Sequence, residues 1–116
     1  MTKQQLSIFL ENFGDTPYLR ALDFFITFPD YDYTKLFVAE EIGVSRANIK
    51  NAWKNLVRNK IIIKRSASGR KWKLDRGNPK VQIITRAAIN LAMNYAQDFV
   101  NNGSKLKRAI SKGTEH

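Results

Sequence analysis

KLFVAEEIGVSRANIKNAWK, residues 35–54, is the stretch on which the fold turns. Thr34 stands before it as a side chain able to cap a short helix that carries Leu36, Phe37, Val38, Ala39 and Ile42. Ala39 supplies the small side chain that a second helix needs where it crosses the first, and Gly43 tolerates the left-handed backbone of a tight turn between them. Val44 plugs that turn. Ser45 satisfies the free N–H groups at the start of the second helix, in which Ile49, Ala52, Trp53, Leu56 and Val57 follow the three-and-four spacing of a core-facing stripe.

Working outward, the same signals recur on both sides. Upstream, Leu6, Phe9, Leu10 and Phe13 have helical spacing and Gly14 stops that helix. Thr16 and Pro17 open a second helix with Leu19, Leu22, Phe25 and Ile26 inward, which Pro29 ends. Asp30-Tyr31-Asp32-Tyr33 alternates polar and aromatic residues, the pattern of a short strand. Downstream, residues 61–65 (IIIKR) and 70–74 (RKWKL) flank Ser66-Ala67-Ser68-Gly69 and read as a β-hairpin. Asn78-Pro79 repeats the cap-plus-proline signature and predicts a helix over about residues 79–102, followed by a basic, flexible tail over 103–116. The fold class is therefore mainly α with a small β-hairpin, in one domain over residues 1–102, as expected for a 116-residue chain that is 43% hydrophobic.

Composition excludes much chemistry. The chain has no cysteine, and its one histidine is His116, so thiolate metal sites, disulfides and imidazole-based catalysis lack their key groups. No continuous apolar run follows the first residues, and Arg86 and Asn90 interrupt the most apolar later stretch, so neither a signal peptide nor a membrane span is expected, and the cytoplasm is the default compartment. Asp30 with Asp32 and Glu40 with Glu41 are the close carboxylate pairs, but neither has a partner base, a metal-ligand set or a glycine-rich phosphate loop, and no enzyme activity, cofactor or metal is expected. The net charge of +10 is unevenly placed. Residues 1–44 carry three basic side chains against seven acidic, whereas residues 45–80 carry twelve basic ones against Asp75 alone. A solvated surface mixes both signs, so a positive block of this size points to a polyanion, with nucleic acid the leading partner.

The spacing of residues 35–54 resembles the helix-turn-helix motif, and the hairpin directly after it, with its basic, glycine-containing turn, looks like the wing of the winged helix-turn-helix family. The resemblance extends over essentially residues 4–102, and the opening FGDTPYLRALDF, residues 13–24, is similar to the start of small archaeal winged-helix regulators. Such a resemblance implies a winged helix-turn-helix with a long C-terminal dimerisation helix, although the fold is also used for protein contacts.

With the apolar stripe assigned to the core, Arg46, Ala47, Lys50, Asn51, Lys54 and Arg58 remain outside on the second helix of the motif. A helix fits the major groove, where Arg or Lys donates to guanine and Asn pairs with adenine. By analogy with the family, Arg46, Lys50 and Asn51 are assigned to base edges, Lys54 to phosphate, and Ser45 to both the cap and a phosphate. Arg65 and Arg70 are assigned to the wing tip, and Lys71 to the same basic hairpin with Lys64 and Lys73. Trp72 in an alternating strand faces the core with Leu74 in preference to stacking on a base, and Tyr31 and Tyr33 read as packing residues.

The last helix carries Val81, Ile84, Ala88, Leu91, Tyr95 and Phe99 as one stripe, while Ile83, Ala87, Ile89, Ala92, Met93, Ala96 and Val100 leave little of its circumference polar. Its length of roughly 30 Å exceeds what one small domain covers. Ile84, Ala88, Leu91, Tyr95 and Phe99 are accordingly expected to meet a second copy of the chain. The resulting expectation is a homodimer that binds double-stranded DNA sequence-specifically as a transcriptional regulator, most simply a repressor. A structural DNA-binding factor for centromeres or replication, and a winged helix used for protein or RNA contact, remain the alternatives.

Overall fold

Four local capping devices set the helical boundaries. In a computed structural model that describes residues 7–114, with side chains over 7–102, the hydroxyls of Ser7, Thr16, Thr34 and Ser45 each accept a backbone N–H three residues ahead, at 3.1–3.2 Å. They open α1 (Ile8–Phe13), α2 (Pro17–Thr27), α3 (Lys35–Ile42) and α4 (Arg46–Arg58). Pro17 occupies the first turn of α2, where its missing N–H costs nothing. The long helix α5 (Pro79–Thr114) starts with Asn78 Oδ1 accepting the Lys80 N–H at 2.9 Å. Leu6, expected at the start of the first helix, lies outside the described residues.

Two helix ends close in the same way. Gly43 sits at φ 69° and ψ 40°, in the left-handed region that suits glycine, and the N–H groups of Gly43 and Val44 bond back to the carbonyls of Glu40 and Ala39 at 3.3 and 3.0 Å. At the end of α4, Lys60 takes the equivalent position at φ 59°, with Lys60 N–H on Val57 O at 3.0 Å and Ile61 N–H on Leu56 O at 2.9 Å. Nothing in the composition around Lys60 signals this turn, because a side chain there works against the backbone preference of L residues.

Strands β1 (Tyr33–Thr34), β2 (Ile62–Lys64) and β3 (Lys71–Leu74) make one antiparallel sheet in the order β1-β3-β2. Ile62 pairs with Leu74, Ile63 with Lys73 and Lys64 with Trp72, while Tyr33 pairs with Trp72 on the other edge. Ile62 and Leu74 face the core and Ile63 and Lys73 face outward, as the two-residue period of a strand requires. The Asp30–Tyr33 alternation thus becomes two paired residues that tie the segment before α3 to the hairpin.

The core is built entirely of apolar side chains among the described residues. Ala21 and Phe25 of α2, Val38 of α3 and Leu56 of α4 are fully enclosed, and Phe9, Leu10, Ile42, Ile49, Trp53, Ile61 and Val81 complete the contact around them. Helix α2 packs along α4, with Phe25 and Trp53 ring centres 5.6 Å apart. Arg20 fixes α3 from outside: its guanidinium donates to Ile42 O at 2.8 Å and clasps both Asp15 carboxylate oxygens at 2.5 and 2.9 Å.

In α3, which carries the five apolar residues expected of it, Val38, Ala39 and Ile42 take the inner face and Leu36 and Phe37 are exposed in the first turn. Two expectations are corrected. Val57 is 37% exposed, because one position beyond Leu56 turns it past the edge of the α2 contact. Helix α5 does not end near residue 102 but continues as backbone helix to Thr114, for 36 residues. Residues 103–114 contain no proline, so despite Gly103 and Gly113 no residue lacks the N–H that continues the helix begun at Pro79.

Candidate nucleic-acid interface

Helix α4 presents a cationic face because its apolar residues are committed elsewhere. Ile49, Ala52, Trp53 and Leu56 are buried, which leaves Arg46, Ala47, Lys50, Asn51, Lys54 and Arg58 exposed. No carboxylate occurs anywhere in the helix. Ser45 caps the end from which Arg46 and Lys50 project by taking the Asn48 N–H, and the remaining free N–H groups of that end add partial positive charge to the same place. Arg58 turns back on its own helix, donating to Asn55 Oδ1 at 2.5 Å.

The hairpin loop, residues 65–70, joins β2 to β3, with Arg65 N–H bonded to Lys71 O at 3.1 Å and Gly69 N–H to Ser66 O at 3.2 Å. A Cβ at Gly69 would lie 2.7 Å from Ser66 Oγ, so a larger residue there would turn the Ser66 hydroxyl aside. Lys71 and Lys73 lie on the sheet's outer face and are exposed, whereas Lys64 lies on the inner face with its ammonium 5.6 Å from the centre of the Trp72 ring. Trp72 is half-buried, edge-on to Trp53 with ring centres 6.2 Å apart, and packs against the core as its strand position predicts.

Ion pairing divides the cations into two groups. Arg65 is bonded to Asp32, whose side chain is only 13% exposed, and Arg76 to Asp30 at 2.6 Å. The two aspartates before β1 therefore neutralise the base of the hairpin, and Arg65, assigned from sequence to the hairpin tip, is held by Asp32 instead. Among the described residues, Arg46, Lys50, Lys54, Arg70 and Lys71 form no ion pair. Those five, of the residues assigned from sequence to DNA, are open to an anion, and Lys73 beside them is likewise unpaired. The pairs with Asp30 and Asp32 span more than thirty positions of sequence, which is why no local pattern announces them.

Helix α5 places the expected dimerisation residues in two settings. Ile84 and Ala88 pack against the chain's own core, Leu91 is half-buried, and Tyr95 and Phe99 are 54% and 73% exposed. The free apolar surface is set by Ile89, Met93, Ala96 and Val100, which fall four, three and four residues apart on one face, with Phe99 beside them. Ile84 and Ala88, expected to meet a second copy, are partly buried against the chain's own core, and α1 packs on the same helix.

Among the described residues, no cluster of His, Cys, Asp and Glu fit to hold a metal occurs, and no helix is long and apolar enough to cross a membrane. No family model matches the chain, and neither a curated protein nor a solved structure is significantly similar to it.

Proposed function

We propose that this chain is a winged helix-turn-helix protein that binds double-stranded DNA as a homodimer and regulates transcription, acting as a repressor by occupying a promoter. The observation that carries the proposal is the set of exposed, unpaired cations on α4 and the hairpin, two elements held by one apolar core. A helix enters the major groove, where Arg46 and Lys50 reach guanine edges and Asn51 an adenine edge. Lys54, farther along α4, meets phosphate, and Arg70 and Lys71 anchor the hairpin on the backbone beside the groove. Ser45 brings the α4 N-terminus to a phosphate while its oxygen caps the helix.

A dimer follows from the exposed stripe on α5. An apolar row of this length is covered economically by its own copy across a two-fold axis, which presents both α4 helices to one side of the particle. The operator is then an inverted repeat, with half-sites about 10–10.5 bp apart or a multiple of that spacing. Selection of bound sequences from random duplex DNA tests the proposal. Enrichment of one palindrome supports a regulator, tandem arrays would indicate a structural factor, and no enriched duplex would overturn the DNA assignment.

A further inference from the structure

Beneath the hairpin lies a cavity of about 510 Å³ that shares Arg70 with the proposed DNA-facing surface. Its walls come from three places: Lys35 and Leu36 at the start of α3, Trp53 of α4, and Lys64, Arg70 and Trp72 of the hairpin. Its volume falls within the range of small-molecule sites. Indole rings and Leu36 supply apolar walls, and three cations supply charge. Trp53 is itself 4% exposed, so Trp72, half-buried and edge-on to it, is the more accessible of the two indoles.

We propose that this cavity binds a nucleotide unit, a planar base carrying its phosphate. A nucleotide's phosphate brings negative charge and acceptor oxygens, which suit a cavity lined by three cationic side chains. A base has a flat apolar body to lie against aromatic walls. Bases within an intact duplex are stacked and cannot enter, so the unit is either a free mononucleotide or an unpaired nucleotide in bound DNA. The inference adds a site to the proposed duplex-binding surface and does not depend on it.

The chain's two tryptophans both line the cavity, so intrinsic fluorescence of the full-length protein reports its occupancy directly. Thymidine 5′-monophosphate is titrated beside thymidine and inorganic phosphate, and a duplex with one unpaired thymidine beside its fully paired parent. Duplex affinity is measured separately by anisotropy of labelled DNA. Saturable quenching by the mononucleotide, at least tenfold tighter than by either fragment, assigns the site to a free nucleotide. Saturable quenching by the bulged duplex alone assigns it to an unpaired base. In either case the double variant Lys35→Gln/Lys64→Gln weakens the response at least tenfold, with circular dichroism confirming the fold. No saturable response, or an equal response from the double variant, overturns the cavity site. Tight binding of the paired duplex in that same experiment leaves the duplex proposal standing, whereas saturable nucleotide quenching without duplex binding overturns the duplex proposal alone.

Discussion

The salt dependence of DNA binding follows from which cations remain unpaired. If Lys54, Arg70 and Lys71 of each protomer meet phosphate, a dimer neutralises about six phosphates, and each contributes roughly −0.9 to the slope of log affinity against log salt. The expected slope is about −5.4, a loss of about three orders of magnitude in affinity between about 50 and 200 mM salt. Arg65 is left out of this tally because Asp32 already holds it. Lys54→Gln removes one phosphate contact per protomer, so the slope should relax to about −3.6. Arg86→Gln, on the exposed side of α5, should leave it unchanged. Fluorescence anisotropy of labelled duplex over a potassium chloride series measures all three. A wild-type slope shallower than about −3, or the same slope in Lys54→Gln, would refute the assignment of these cations to phosphate.

Alanine at Arg46, Lys50 or Asn51 should cost about 1–3 kcal/mol and relax preference at particular base pairs, whereas Arg70→Ala should weaken specific and random duplexes alike; equal losses on both from the two sets would remove that division of roles. Met93→Glu with Val100→Lys places charge in the exposed stripe of α5 and should yield folded monomers that bind one half-site weakly, as sedimentation equilibrium and anisotropy would reveal; a wild-type monomer at tens of micromolar would end the dimer proposal. The hydrogen bonds from Arg20 hold the Asp15 carboxyl below the usual carboxylate range, so its contribution to stability is complete above about pH 4 and is lost as pH falls through the lowered value. The stability gap between wild type and Asp15→Asn in urea unfolding should therefore close on acidification, and a gap that widens would contradict the pairing. Lys60→Gly should raise stability by about 0.5–1 kcal/mol, since glycine occupies φ 59° without steric cost.

What was legible in the sequence was local. Thr16-Pro17, Thr34, Ser45 and Asn78-Pro79 announce helix starts within three residues, and each functions as a cap. Gly43 and the alternation of Lys71–Leu74 are equally short-range signals. The cationic face of α4 followed once the buried stripe was subtracted. Long-range placement was not legible: Arg65 reaches Asp32 across the fold, Tyr33 finds Trp72, and Val57 is exposed where its neighbour Leu56 is enclosed. Ile84 and Ala88 look the same in sequence whether α1 or a second protomer covers them. The cavity walls come from residues 34–36, 53 and the hairpin, a grouping that exists only after the sheet has formed.

The turn at Lys60 has a mechanical corollary. Only Asn59 and Lys60 separate the last residue of α4 from Ile61, which is buried at once, and Ile61 O then accepts the Asp75 N–H at 2.9 Å. There is no slack between helix and hairpin. The two cationic elements are therefore tied by a two-residue joint, and in the proposed complex this short span would favour DNA that bends or narrows to meet both. Sites built from easily deformed steps would then be preferred at positions that neither element touches. One glycine inserted between Asn59 and Lys60 would loosen the joint and weaken that preference, while leaving every cation in the chain.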